Sequence, residues 1–283
     1  MKPTLKYSEM YITNVCNYSC THCQSFNNYA FKGHQRWDDY KDEYELLSKK
    51  LDIGIIQLMG GEPTLNPDFN KWLKGISNLW PTAKLQISTN GSTLNKLTQD
   101  VYDVLSKNNG TLWITCHDIK LYDGFLDFIN TFLDVIVSDT GEEPARRVSR
   151  IFIDKNGVEV ILDWSQTFRA SAMDLVNKQL TLGYDSDVDE AHDVCGFKTC
   201  HQLNKGKLYK CPLVSVLPDF LNQFNVAVAD KELAHAYQPM SHDDDVEKFV
   251  NNLVNPIPQC KFCPSNYNIG HDFIGTDKKV KQT

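Results

Sequence analysis

Over the first 165 residues, short apolar runs alternate with stretches whose apolar residues recur at helical spacing. Ser8–Thr13 reads as a first strand. Asp38–Leu51 follows as a helix, with Tyr40, Tyr44, Leu47 and Leu51 on one face and acids near its start, where the helix dipole favours them. Ile55–Met59 is a buried-type strand. Asn66-Pro67 then looks like a cap followed by proline at the first helical position, ahead of Phe69, Trp72, Leu73, Ile76 and Leu79. Lys84–Ser88, Thr111–Cys116, Val135–Val137 and Val158–Trp164 supply four further strands. Helices are expected around Leu94–Leu105, around Phe125–Phe132 and, more weakly, over Glu143–Ile153. Six strands joined by right-handed crossovers make an α/β fold, an open part-barrel of six βα units.

From about Phe168 the alternation stops. The pattern divides the chain into a barrel (residues 7–167), an irregular polar linker (168–194), a small cysteine-rich domain (195–270) and a tail (271–283). The third part looks too short and broken to build another sheet layer. It holds one hairpin signal, His201–Asn204 and Lys207–Lys210 about a Lys205-Gly206 turn. A segment without a core of its own is often stapled by metal.

Composition changes this picture little. At 283 residues and 41% apolar, the chain can bury a substantial core. Nothing resembles a signal peptide or a membrane span, so a soluble, cytoplasmic protein without a membrane partner is expected. The formal net charge of −7 argues against a nucleic-acid partner. The local group Arg146, Arg147 and Arg150 fits a solvated helix face.

Nine cysteines change it much more. They fall as Cys16, Cys20 and Cys23; Cys116 alone; Cys195, Cys200 and Cys211; and Cys260 with Cys263. In a reducing compartment such groups bind metal or do redox work. The first set is spaced C-x3-C-x2-C, so three thiolates on one loop can hold three irons of a 4Fe–4S cubane and leave the fourth iron open for chemistry. A zinc knuckle or a chance grouping is the plainer alternative. Polar punctuation also falls at the carboxyl ends of the strands, where parallel sheets place their sites. Strand two ends in Gly60-Gly61-Glu62-Pro63, strand three in Ser88-Thr89-Asn90-Gly91, and strand four in Cys116-His117-Asp118. A glycine pair lets a ligand approach the backbone, whose carbonyls can accept from an ammonium group, with Glu62 beside it.

In this order the cysteine loop, Gly-Gly-Glu-Pro and Ser-Thr-Asn-Gly resemble the radical S-adenosylmethionine (radical SAM) enzymes over roughly residues 8–165. The six-unit count matches that family's partial TIM-like (β/α)6 barrel. The resemblance implies that Cys16, Cys20 and Cys23 ligate the SAM-cleaving 4Fe–4S cluster. It further implies that Gly60, Gly61 and Glu62 cradle the SAM amino group, and that Ser88, Asn90 and, less firmly, His117 and Thr115 contact the rest of SAM. Before the third cysteine the family usually places an aromatic residue that packs on adenine. Here it is His22, whose imidazole can also stack.

Cys195, ten residues, Gly206, four residues, Cys211, and a distant Cys260-x2-Cys263 resemble the SPASM module and its shorter Twitch form, which hold an auxiliary 4Fe–4S cluster. A full SPASM module needs more cysteines downstream. Five candidates compete for four places. Cys195 fits the module's spacing, whereas Cys200 would lie across the hairpin from Cys211, and the choice stays open. Structural zinc is the alternative occupant. Cys116 reads as a buried apolar residue, and His192, His201 and His271 as surface or supporting groups.

The resemblance implies reductive cleavage of SAM to a 5′-deoxyadenosyl radical that abstracts hydrogen from substrate, with electrons from a reductant such as flavodoxin or ferredoxin. An auxiliary cluster points to an oxidoreductase or maturase that oxidises, couples or epimerises a small molecule or a peptide. Only about seven residues precede the first strand, which shifts the expectation away from a leader-binding domain. A glycyl-radical activating enzyme is a second class, but its usual extra cysteines are absent between Cys23 and Cys116. A non-enzymatic iron–sulfur or zinc module is a third, and would need neither the glycine pair nor the polar turn after strand three.

Overall fold

The structure, a computed structural model, describes residues 2–20, 22–132, 147–154, 157–165, 167–169, 173–176, 179–266 and 270–272. Four strand–helix units lead the chain: β1 (Thr4–Tyr11) and α1 (Trp37–Ser48), β2 (Asp52–Met59) and α2 (Phe69–Leu79), β3 (Lys84–Thr89) and α3 (Gln99–Lys107), β4 (Thr111–Cys116) and α4 (Tyr122–Phe132). Then come β5 (Arg147–Ile153), β6 (Glu159–Ser165), and the short strands β7 (Thr167–Arg169), β8 (Met173–Val176) and β9 (Gln179–Leu182). The C-terminal part holds α5 (Val188–Asp193), β10 (His201–Asn204), β11 (Lys207–Tyr209), α6 (Pro212–Gln223), β12 (Val226–Ala227), α7 (Lys231–His235), α8 (Val246–Asn252) and β13 (Gly270–Asp272).

One eight-stranded, mainly parallel sheet organises the molecule in the order β11-β10-β1-β2-β3-β4-β6-β5, an α/β architecture consistent with a partial TIM-like barrel. Its register explains its stability. Leu203, Met10, Leu58, Ile87, Leu112 and Val160 are successive register partners across six strands, and each is fully buried. They pack with Leu47, Trp72, Ile76, Leu105 and Ile129 from the helices. Burial of each such side chain contributes roughly 1.5–3 kcal/mol. Side chains alternate along a strand, so the opposite face carries Glu9, Gln57, Gln86, Thr111 and Glu159, again successive partners. One face is a core and the other is a polar floor.

Two expectations need correction, and one falls where no residue is described. The helix expected over Glu143–Ile153 is strand β5 from Arg147 onward, antiparallel to β6 with Phe152 opposite Val160. Its run of Val148, Ile151, Phe152 and Ile153 suits a pleated surface better than a helix. The fifth strand expected at Val135–Val137 lies outside the described residues. The segment read as irregular from residue 168 carries β8 and β9, which pair antiparallel, and β9 pairs with β12.

The hairpin is present where the sequence signals it, and Lys205 and Gly206 take φ of 49° and 75°, as a tight two-residue turn requires. It does not stand apart as an appendage: β10 pairs parallel with β1, Glu9 opposite Gln202. The free edge of β1 presents unpaired backbone groups, and β10 satisfies them. Among the described residues no helix is long and apolar enough to cross a membrane.

α1 and α2 pack through aromatic rings, with Trp37 5.0 Å and Tyr44 5.9 Å from Trp72. Gly75 makes this possible, because a Cβ there would stand 2.1 Å from the Trp37 ring. Gly75→Ala gains helix propensity of about 1 kcal/mol, yet it forces a rigid indole to move. The variant is expected to lose stability by about 1–3 kcal/mol, read as a lower urea midpoint; an unchanged or higher midpoint would show that the indole moves freely.

Candidate active site

The carboxyl ends of β1 to β4 open on a cleft of about 790 Å³. Cys16, Cys20 and Cys23 line it, together with His22, Gly60, Gly61, Ser88, Asn90, Thr115 and His117, so these residues from four loops share one space. Glu62 does not line it.

Backbone pairing sets the cysteine loop against the end of β2. The Gly61 amide donates to the Thr13 carbonyl and the Glu62 amide to that of Val15, each at 2.8 Å. Close approach requires glycine here. A Cβ on Gly60 would stand 2.5 Å from the Thr13 oxygen, and one on Gly61 would stand 2.3 Å from that of Val15.

Glu62 is fully buried, and its carboxylate accepts from the Thr64 amide and hydroxyl, the Thr89 hydroxyl and the Asn90 amide at 2.5–3.2 Å. Burial raises its pKa, and these donors oppose the rise. The carboxylate therefore ties β2 to β3 instead of facing the cleft. Asn90 continues the link: its side-chain amide donates to Asn17 at 3.0 Å and to the Cys16 sulfur at 3.7 Å. The Tyr18 amide donates to the same sulfur at 3.4 Å. Asn66 holds the entry, donating to the carbonyls of Ile12 and Gln35; helix α2 begins after Asp68 and not directly after Asn66-Pro67.

The loop itself is strained. His22, Phe26 and Ala30 take φ near 60°, a conformation that costs an L-residue roughly 1–2 kcal/mol. Packing from the C-terminal part holds it there, since Phe220 of α6 lies 4.9 Å from Phe26, 5.7 Å from Tyr29 and 5.4 Å from Phe31.

The donor set fits an iron–sulfur cluster. Burial pushes the Cys20 thiol up, and the Cys23 and Cys16 thiols push it further. A bound cation relieves such crowding by favouring all three thiolates. Among the described residues no three His, Cys, Asp or Glu stand close enough for a single metal ion, and a cubane spreads its thiolates wider than one ion does. Burial pushes His117 down to about 4, so its imidazole is neutral at pH 7.

Cys195, Cys211, Cys260 and Cys263 line a second, smaller pocket with His192 and Lys210. Cys211 occupies the N-cap position of α6; burial pushes its thiol up to about 12, and the amides of Val214 and Leu213 pull the other way. Cys200 does not line this pocket. Its thiol lies against Glu9. Cys116 is buried in the apolar core. Residues that sequence reasoning passed over are Met59, Trp113, Gly196 and Phe197 on the cleft wall. Phe197 also lines the four-thiol pocket, and its place beside Cys195 was the only signal in the sequence.

With this geometry in view, comparison with known proteins is informative. The Radical SAM superfamily model matches residues 10–119, the cysteine loop through β4. Residues 10–119 therefore carry a radical SAM domain. A domain of this family implies an enzyme that uses a 4Fe–4S cluster and SAM. GTP 3′,8-cyclase of Nautilia profundicola is 29% identical over 101 residues, 35% of this chain and 32% of that protein. The same-named protein of Aliarcobacter butzleri is 23% identical over 143 residues, 50% of this chain and 38% of that protein. The chain thus matches about a third of the length of these curated relatives. Among solved structures, BtrN in complex with AdoMet and 2-DOIA is 24% identical with a TM-score of 0.34, covering 44% of this chain and 52% of that one. Streptococcus suis SuiB bound to S-adenosylmethionine is 20% identical with a TM-score of 0.33, covering 44% and 27%.

Two predictions follow the radical SAM site's wiring. Glu62→Gln turns an amide toward donors that need an acceptor, so stability should fall by about 1–3 kcal/mol with loss of cluster iron after reconstitution; full stability would deny the carboxylate its tying role. Glu9 is pushed up to about 7 by burial, with bonds from Cys200 and Gln202 pulling the other way. Its folded pKa lies above its unfolded value, so the neutral form favours folding, fully below about pH 4.5, and that stability is lost as pH rises to 7. Measured on metal-free protein, wild type should therefore lose ground to Glu9→Gln between pH 5 and 7.5, on the order of 3 kcal/mol. Parallel curves would sink the assignment.

Proposed function

We propose that this radical SAM enzyme abstracts hydrogen from a small-molecule or peptide substrate seated between two thiol-ligated centres, as an oxidoreductase or maturase. The observation that carries it is the convergence of Cys16, Cys20, Cys23, the glycine pair and Ser88, Asn90 and His117 in one cleft. Cys16, Cys20 and Cys23 would hold a 4Fe–4S cluster, which would supply the electron for reductive cleavage of SAM to a hydrogen-abstracting radical. The chain's own part is binding and enclosure. Backbone carbonyls at Gly60 and Gly61 accept from the SAM ammonium group. Ser88, Asn90 and a neutral His117 offer hydrogen bonds, His22 offers a stacking face, and Trp113 and Phe197 wall the cleft against water. Glu62 acts through the backbone it holds.

The second centre is an auxiliary 4Fe–4S cluster on Cys195, Cys211, Cys260 and Cys263, in a module spanning residues 195–270 that joins a barrel at 7–167 through 168–194. Their shared pocket supports that set over one containing Cys200. Phe197, common to both pockets, makes the second centre a neighbour of the substrate and suits it to take an electron during an oxidation. Flavodoxin or ferredoxin would supply the first electron.

Anaerobic reconstitution with iron and sulfide quantitation and a dithionite-driven SAM-cleavage assay tests this reading. The expected result is about eight irons per chain and formation of 5′-deoxyadenosine. Cys195→Ala should fall to about four irons, and Cys200→Ala should stay near eight. The reverse pattern would move Cys200 into the ligand set. A fully loaded chain that never cleaves SAM, alone or with GTP or peptide added, would overturn the enzyme reading.

A further inference from the structure

Lys210, between β11 and the start of α6, is 4% exposed and lines the pocket of Cys195, Cys211, Cys260 and Cys263. Its ammonium donates to the Leu253 carbonyl, and its backbone amide donates to the Tyr237 hydroxyl. Among the described residues no carboxylate pairs with it. A buried ammonium without an anion is unfavourable by several kcal/mol, so such groups are paired or neutral in folded proteins. The anionic groups that share its pocket are the four cysteine thiols.

We infer that Lys210 is the internal counter-ion of the C-terminal centre, a positioning residue that holds a fixed positive charge against four thiolates. The inference rests on the four-cysteine assignment above and goes beyond it. Four thiolates outweigh the positive core they hold, so the centre is a net anion and reduction adds to that charge. A cation fixed beside it stabilises the reduced state over the oxidised one and raises the reduction potential. Lysine does this as a point charge on a flexible stem. The Leu253 carbonyl keeps that charge at the pocket wall.

The test uses the full chain with Cys16→Ala, Cys20→Ala and Cys23→Ala, reconstituted anaerobically so that only the C-terminal centre takes up iron. EPR-monitored redox titration then compares this parent with Lys210→Gln, which keeps a donor for Leu253 without the charge, and with Lys210→Arg, which keeps the charge. Lys210→Gln should be harder to reduce by about tenfold in the one-electron equilibrium, roughly 59 mV, while Lys210→Arg titrates with the parent. Loss of iron in Lys210→Gln with uptake kept in Lys210→Arg supports the same conclusion. Iron-loaded Lys210→Gln that titrates with the parent overturns the counter-ion and leaves the four-thiol centre standing. A parent that takes up no iron overturns the centre itself, and the counter-ion with it.

Discussion

Glu62 carries a carboxylate without access to solvent, and the fold tolerates that ion only because Thr64, Thr89 and Asn90 surround it with donors. Those donors come from the turn after β2 and from the end of β3. The same residue's backbone amide reaches the Val15 carbonyl, one residue before the first cysteine of the loop. Three strand ends are thereby fixed to one another by a single side chain and its own peptide. Without it, each end would be a surface loop with its own mobility, and three thiols would have no reason to share a cleft.

The loop needs this support because its own conformation is unfavourable. Three non-glycine residues in left-handed conformations amount to several kcal/mol of local strain. Anchors at both ends of the loop oppose that strain: Asn90 and Tyr18 at the Cys16 sulfur, and the Phe220 ring beneath Phe26, Tyr29 and Phe31. Phe220 belongs to α6, whose first cap is Cys211. The helix that buttresses the first thiol set therefore begins at a member of the second. A twelve-residue helix with Pro218 inside it thus joins the two thiol sets.

The residues that share the cleft were legible because they are local in sequence. Cys16, Cys20 and Cys23 lie on one loop, and Gly60-Gly61 and Ser88-Thr89-Asn90 end strands whose apolar runs are plain. The part that Glu62 plays was not legible, since a carboxylate beside a ligand and a carboxylate beneath one look alike in sequence. Nor was the polar floor. Glu9, Gln57, Gln86, Thr111 and Glu159 stand far apart along the chain and become a row only through register. Strand β5 was misread because Arg147 and Arg150, spaced three apart, mimic a helix face while Val148, Ile151 and Ile153 favour a strand. That Cys195 lines the pocket of Cys211, Cys260 and Cys263 while Cys200 lies against Glu9 is information that spacing alone does not carry. Phe197 had no motif to mark it.

Register joins these observations. A slip of one residue between β1 and β2 would turn Leu58 to the polar floor and Gln57 into the helix layer, a penalty no local change could offset. The same slip would carry Gly60 and Gly61 away from the carbonyls of Thr13 and Val15, and put a side chain where only glycine fits. The apolar row that stabilises the sheet and the glycine pair that opens the cleft thus impose one register, for independent reasons. That is why a site built from backbone approach can sit at the end of a parallel sheet without separate scaffolding. β10 extends the argument, because its pairing of Gln202 with Glu9 and Leu203 with Met10 brings the C-terminal thiols into the same frame. Core packing, not a linker, then sets how far the second thiol set stands from the first.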